Sequence, residues 1–307
     1  MKSRQVYTLG ETVLDIIFRD DCPVAAKPGG AMLNTAVSLG RAGVSVSFIS
    51  DFGRDEPGRI ISEFLEQNGV STRFVNRYDD GKTALALAFL DQNQDANYVF
   101  YKIFPEDRLL AEFPQTSPGD ILLFGSFYAI TPEIRERIRA FVQRVRESGA
   151  LIIYDPNFRK PHLPELNLVR PWIIENISMS DIVRGSNEDF AMIFGAGDAG
   201  SAYRFIQDAG CRIMICTKNK EGVEIMTGDE NFGINVPQIK PVSTIGAGDA
   251  FNAGIIWSLL SKGLTRENLN GVDKKTWREI LETGIKFSTE VCMQFDNYIP
   301  SGFQTGP

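Results

Sequence analysis

Residues 243–254 read Ser-Thr-Ile-Gly-Ala-Gly-Asp-Ala-Phe-Asn-Ala-Gly. An apolar, helix-compatible run follows from Ala250 to Leu260 and stops at Lys262-Gly263. The pattern places Gly246, Ala247 and Gly248 in the turn that opens a helix. Small residues there let the backbone come close to a ligand. Free N–H groups and the positive end of the helix dipole then attract an anion. Asp249, in the same first turn, would repel that anion if its task were to bind it. It makes chemical sense as a base that takes a proton from a hydroxyl, which then attacks a phosphate. The plainer alternative is a glycine-rich turn whose aspartate only caps its helix.

A second glycine pair opens another helix. Gly29-Gly30-Ala31-Met32-Leu33-Asn34 precedes a run that ends near Arg41-Ala42-Gly43. The glycines allow backbone contact with a small polar ligand, and Asn34 offers both a donor and an acceptor to sugar hydroxyls. Read plainly, this is a turn followed by an early-helix polar residue.

The elements that must carry these motifs alternate. Runs at 44–50 (VSVSFIS), 121–124 (ILLF), 151–155 (LIIYD), 181–183, 213–217 and 223–226 read as strands. Segments 55–69 and 132–148 read as helices. Such alternation predicts a mainly parallel sheet with helices on both faces. Ligands of such sheets lie at the carboxyl ends of the strands, where Gly125-Ser126, Asp155 to Arg159 and Asn187 fall. Two stretches break the pattern. Residues 12–18 (TVLDIIF) follow the first strand with no helix between. Residues 83–90 (TALALAFL) and 98–104 (YVFYKIF), joined by a turn-like stretch from Asp91 to Asn97, read as an antiparallel hairpin. Together they predict a small sheet that leaves the main one, either a lid that excludes water from the site or an edge extension.

Composition excludes several classes. With 307 residues the chain suits one large α/β domain or two small ones, and no linker or repeat divides it. A net charge of −7 argues against a nucleic-acid surface, so an anionic cosubstrate needs local features to hold it. The four cysteines, Cys22, Cys211, Cys216 and Cys292, show no metal spacing and suit a cytoplasmic protein. The first residues form no signal core, and no run of about 18 apolar residues predicts a membrane span. Gly81-Lys82-Thr83 resembles the end of a phosphate-binding P-loop. Asn76 stands where its first glycine belongs, however, and a strand-like run follows. Phe251 breaks a dinucleotide fingerprint at Gly246-Ala247-Gly248. His162 is the one histidine, and no Gly-x-Ser-x-Gly exists, which argues against a Ser-His-Asp hydrolase.

Taken together, the two glycine motifs carry a resemblance. The chain resembles the ribokinase-like (PfkB) carbohydrate kinases over essentially its full length. The N-terminal signature is Gly29-Gly30 with Asn34, then Leu39-Gly40-Arg41-Ala42-Gly43 and the stretch from Asp51 to Gly58. The C-terminal signature runs from Gly246 to Gly254. Asp155-Pro156-Asn157-Phe158-Arg159 is similar to the fructokinase and ketodeoxygluconate-kinase branch. Thr217 to Gly222 is similar to a nucleotide-side turn. The resemblance implies a three-layer α/β/α fold of 1–307 with a β-sheet lid at about 11–20 and 83–104, and transfer of the ATP γ-phosphate, with Mg²⁺, to a sugar hydroxymethyl group.

Roles follow by match to the family's motifs. Asp249 corresponds to the base, and Gly246, Ala247 and Gly248 to the anion hole. Asp15, Gly29, Gly30, Asn34 and Arg159 would meet the sugar, with Arg159 also able to neutralise phosphate. Asn187, Thr217, Lys218 and Gly222 would lie on the nucleotide side. There are departures. The family's Asn-x-x-Glu magnesium motif meets Phe190 at its last position, which leaves Glu188 and Asp189 as the acids able to organise Mg²⁺ through water. Asn219 replaces a glycine. Ser243 replaces an aspartate that helps hold a monovalent cation in relatives, so weak or absent potassium activation is expected. Fructokinase is the favoured activity; 2-keto-3-deoxygluconate kinase, ribokinase, a nucleoside kinase and a non-catalytic sensor on the same scaffold are the alternatives. The acid substrate would want more cations, for which Lys102 and Arg159 are available. The exposed face of a lid sheet also suggests a homodimer.

Overall fold

The computed structural model describes residues 4–90 and 96–305. Its main sheet has nine strands. From one edge to the other they are β13 (Asn231–Ile234), β12 (Val223–Met226), β11 (Ile213–Thr217), β10 (Ile182–Ser186), β9 (Leu151–Asp155), β8 (Ile121–Gly125), β1 (Val6–Leu9), β4 (Val46–Gly53) and β5 (Val70–Tyr78). All neighbours from β11 to β5 pair in parallel, and β12 and β13 add an antiparallel hairpin at one edge. Val6 of β1 lies opposite both Val46 and Ile121. The chain therefore winds outward from β1 in one direction and then returns to its other side. The crevice beyond such a reversal is where open α/β sheets hold ligands.

The strands are apolar on both faces, as a sheet covered twice requires. In β8, Ile121 and Leu123 point into one core, while Leu122 and Phe124 point into the other. The first core is closed by α1 (Ala31–Arg41), α2 (Glu56–Gln67), α7 (Ala247–Ser261) and α8 (Lys274–Cys292). The second is closed by α3 (Arg135–Glu147), α4 (Leu166–Met179), α5 (Asn187–Phe194) and α6 (Ala199–Asp208). Helix α7 is apolar nearly all round, with Ala250, Phe251, Ala253 and Ile256 at 2% exposure or less. It is sandwiched between α1, α8 and the sheet, so its first turn cannot shift without disturbing three elements.

A separate four-stranded sheet stands apart, in the order β3 (Cys22–Gly29), β2 (Val13–Arg19), β6 (Lys82–Leu90), β7 (Ala96–Ile103). It is an excursion and not an edge extension. The reading of 11–20 and 83–104 missed β3. Its sequence, Cys-Pro-Val-Ala-Ala-Lys-Pro-Gly, carries two prolines and little alternation, yet it pairs along the edge of β2, where prolines are tolerated. Residues 91–95 of the turn between β6 and β7 lie outside the described residues. In 132–148, expected as one helix, Pro132–Ile134 form a 3₁₀ turn before α3 starts at Arg135. The strand expected at 181–183 runs on to Ser186 because Ser186 caps α5.

Candidate active site

Asp249 lies buried at the start of α7, behind a left-handed Gly246 with φ 80°. A Cβ on Gly246 would stand 2.4 Å from the carbonyl oxygen of Asn297, so both conformation and space demand glycine there. The Ala247 N–H is turned to the Thr244 carbonyl at 3.3 Å. Gly248 and Asp249, in the first turn of α7, carry N–H groups with no intrahelical partner. Of the three residues expected to form an anion hole, Ala247 has its N–H engaged, while those of Gly246 and Gly248 are free to meet an anion, joined by that of Asp249.

Asn34 and Asp249 stand 215 residues apart in sequence and share a hydrogen bond. The Asn34 Nδ2 donates to Asp249 Oδ2 at 2.9 Å. Thr35 Oγ1 donates to the Asp249 carbonyl at 3.0 Å. The first turns of α1 and α7 are thus stitched together, and this explains why the two glycine motifs occur as a pair. Asn34 Oδ1 is buried with no partner, which costs free energy unless a ligand hydroxyl supplies the missing donor. Asparagine was expected to meet sugar; it also holds the carboxylate.

The Asp249 carboxyl is raised to about 6, chiefly by burial and also by the neighbouring Asp155 charge, while Asn34, Arg159 and Arg184 oppose the rise. Asp15, on β2 of the small sheet, is likewise lifted to about 6 by burial. Its carboxylate leans along the strand towards β3, where a Cβ on Gly29 would meet Oδ2 at 2.1 Å. Asp15 thus occupies the space a side chain at Gly29 would need, which is a reason for glycine there independent of any ligand. Gly30 has φ 132° and lies against the Glu11 carbonyl. Arg159 is exposed. Its charge acts on Asp249 and on Tyr98, and Tyr98 in turn lies within the field of Asp15.

Lys102 is tied by two 2.8 Å contacts to the Glu11 carboxylate. Arg108 makes a bidentate pair with Asp51 at 2.8 and 2.9 Å, and Tyr128 Oη donates to the same carboxylate at 2.7 Å.

At and just beyond the carboxyl ends of β10 and β11 lie Asn187, Thr217, Lys218 and Gly222. Asn187 is exposed at the start of α5. The Lys218 ammonium is paired with Glu224, and its N–H donates to the Gly222 carbonyl at 2.8 Å. Gly222 has φ 115°, and Asn219 takes a left-handed φ of 49° in place of the expected glycine. Glu188 is exposed and accepts from Asn219 Nδ2 at 3.3 Å. Asp189 is engaged in a capping box, accepting from the Ser186 N–H and hydroxyl at 2.8 and 2.6 Å. Phe190 is core, its ring packed on Gly185. Among the described residues no three His, Cys, Asp or Glu side chains cluster as metal ligands.

Sequence reasoning passed over two groups at the centre. Arg184 Nη1 pairs with Asp155 Oδ2 at 2.8 Å, and Asn252 Nδ2 donates to the same oxygen at 2.6 Å. Arg184 sits mid-strand in an apolar run, the one signal that pointed to it.

The chain belongs to the pfkB family of carbohydrate kinases, whose pattern it matches over residues 4–296. It is 30% identical over 272 residues to the probable chloroplastic fructokinase-6 of Arabidopsis thaliana, covering 84% of this chain and 71% of that protein. It is 24% identical over 257 residues to the aminoimidazole riboside kinase of Salmonella typhimurium, covering 83% and 81%. Among solved structures, the fructokinase of Vibrio cholerae O395 in its fructose-, ADP- and calcium-bound form superposes with a TM-score of 0.85 at 20% identity, over 96% of this chain and 94% of that one.

The carboxyl of Asp249 is raised from an ordinary 3.8 to about 6. Its burial therefore favours the protonated folded state, and that preference is lost as pH rises through 6. Above that pH the buried charge costs about 3 kcal/mol. Asp249→Asn is expected to raise the melting temperature by a few degrees at pH 7.5, with the gain vanishing towards pH 4. A gain of equal size at both pH values, or a loss at pH 7.5, would contradict this account; differential scanning calorimetry across pH reads it directly.

Proposed function

We propose that this chain is an ATP-dependent sugar kinase of the fructokinase type. The observation that carries the reading is Asp249: a buried carboxylate of raised pKa, held by Asn34, one residue from the free N–H of Gly248. In this reading the Asp249 carboxylate takes the proton from the sugar hydroxymethyl group. The hydroxyl oxygen forms a bond to the γ-phosphorus as the bond to the ADP oxygen breaks, and the N–H groups of Gly248 and Asp249 meet the charge on the transferring group. Asp15 and the unpartnered Asn34 Oδ1 accept from other hydroxyls, from the small sheet and the main domain respectively. The small sheet then acts as a lid that excludes water. Mg²⁺, held through water by Glu188 and Asp189, would neutralise phosphate charge.

Charge supports a neutral sugar over an acid. Lys102 and Arg108 are neutralised by Glu11 and Asp51, which leaves Arg159 as the cation near Asp249 without an acidic partner among the described residues. A 2-keto-3-deoxygluconate would bring a carboxylate into a site that already holds Asp15 and Asp249. The fructokinase relatives support a ketose. The aminoimidazole riboside kinase relative supports a riboside as the second reading. The backbone hydrogen bond from Ile245 to Ser243 Oγ, 3.2 Å long, engages the hydroxyl that replaces the cation-holding aspartate. This agrees with weak potassium dependence. No helix among the described residues is long and apolar enough to cross a membrane, and the site is proposed to work in the cytoplasm.

The test is a coupled ADP-release screen over fructose, ribose, aminoimidazole riboside, ketodeoxygluconate, tagatose 6-phosphate and adenosine. Fructose is expected to give the highest kcat/KM. Preference for ketodeoxygluconate by tenfold would overturn the charge argument. No turnover with any acceptor would favour a sensor.

In the same assay, Asp249→Asn should lower kcat by about 10²–10⁴-fold with the ATP KM little changed. Retention of more than half of kcat removes it from the base role. Asp15→Ala should raise the sugar KM and spare that for ATP; a shift in the ATP KM instead would put Asp15 elsewhere.

A homodimer through the small sheet is supported by β7, where Tyr98, Val99, Phe100, Tyr101 and Ile103 are 46–63% exposed. An apolar edge of this kind invites pairing. Light scattering is expected to give twice the 34.1 kDa chain mass; a single 34.1 kDa species would reject the dimer.

A further inference from the structure

Arg184 belongs to none of the roles above. It projects from β10 into the space beneath the first turn of α7, and only 8% of its side chain is exposed. A buried guanidinium is costly unless its donors are met. One goes to Asp155 Oδ2 on β9 at 2.8 Å, and one to Thr217 Oγ1 on β11 at 2.9 Å. Its Nε has no partner at all. Asp155 is itself buried and is held a second time by Asn252 of α7 at 2.6 Å and by the Asn157 N–H at 3.0 Å. The guanidinium carbon sits 5.5 Å from the centre of the Phe251 ring, also on α7. A methyl group built on Gly248 would stand 3.0 Å from both Nη1 and Nη2. The cation is therefore pressed directly against the backbone whose N–H is free to face an anion.

A purely structural ion pair would only need to neutralise Asp155. This one does more. Its planar fork reaches two strands, and it lies against Gly248 and Phe251 in the first turns of α7, with Asn252 joined through Asp155. A point charge on a flexible stem, such as lysine, would not hold that geometry. The arrangement also sets a buried positive charge against Gly248, where it reinforces the helix dipole in a low-dielectric setting.

Resting on the reading of the chain as a sugar kinase, we infer that Arg184 is a positioning residue for phosphoryl transfer. Through Asp155, Asn252 and its contact with Gly248, it holds the first turn of α7 in the one orientation that meets the transferring phosphoryl group. Arg184 touches neither sugar nor nucleotide; it acts through Gly248.

The experiment must separate positioning from charge compensation. Arg184→Met keeps an apolar stem on Phe251 but leaves Asp155 buried and unpaired, so it is expected to lose both stability and activity. The double variant Arg184→Met/Asp155→Asn removes the unpaired charge. Its melting temperature is expected to return to within a few degrees of wild type. Its kcat should remain about 10- to 100-fold low, the loss expected when a reacting group is slightly misplaced. The dissociation constant for a non-hydrolysable ATP analogue should change less than threefold, because ground-state phosphate contacts persist. Arg184→Lys, which keeps the charge and loses the two-pronged grip, should fold and show a kcat loss of the same order, and it supplies the test if the methionine variants do not fold. A kcat above one-fifth of wild type in the double variant, or in Arg184→Lys where only that folds, would reduce Arg184 to a counter-ion. A kcat loss matched by an equal loss of analogue affinity would make it a ground-state binding group. Absence of turnover by the wild-type protein under every acceptor would instead sink the kinase reading, and the wild-type assay is run first for that reason.

Discussion

Two carboxylates, Asp155 and Asp249, are buried close enough to feel each other's charge, and much of the architecture serves to make that tolerable. Like charges in a low-dielectric interior drive each other towards protonation. Asp155 is quenched by a guanidinium and two further donors, which keeps its charge from overwhelming its neighbour. Asp249 receives one amide hydrogen bond and two more distant cations. The unequal treatment leaves Asp155 fully occupied by its donors and Asp249 with a carboxyl raised to about 6. It also explains why α7 is packed on all sides: a helix free to slide would change both environments together.

The small sheet follows a different logic. Its inner surface brings Asp15 forward by clearing a side chain at Gly29. Besides Leu14 and Leu85, which reach the first core, it is attached to the main body by polar links. Lys27 on β3 pairs with Asp296 at 2.6 Å, beside the Asn297 carbonyl that packs on Gly246. The segment leaving β7 is fastened by Arg108, stacked on Phe104 and clamped by Asp51 and Tyr128. The first link is half-exposed and therefore weak. The second is buried and costly to break. One side of the sheet is thus pinned while the other is held lightly.

How far this was readable in advance depended on whether a residue acts through local sequence or through tertiary contact. The glycine turn before Asp249 and the apolar strands at 121–124 and 151–155 announce themselves, because periodicity and turn chemistry are local. The separate sheet was legible from two alternating runs. Its edge strand β3 was not, since prolines and small residues mask an edge that needs few hydrogen bonds. The magnesium motif could be read in two registers, and the capping box of Ser186 and Asp189 with the burial of Phe190 shows what each register does structurally. Lys102 looked available to an acid because nothing in the sequence links it to Glu11. Arg184 stood out only as a charge within an apolar strand; its role was hidden for the same reason, since its partners come from β9, β11 and α7, brought together only by the fold.

The small sheet has a further consequence in its connectivity. Its two central strands, β2 and β6, run parallel, with Leu14 beside Leu85. Between them the chain builds β3, α1, β4, α2 and β5, of which only β3 belongs to the small sheet and the rest to the main body. Joining β2 to β6 in an unfolded chain would mean closing a long loop for a few strand hydrogen bonds, an entropically poor exchange. Once α1, β4, α2 and β5 have docked, the same two strands emerge near one another and little loop entropy remains to be lost. The order of assembly is thus written into the topology. The half of the cleft that carries Asp249 can form first, and the half that carries Asp15 is completed on its surface.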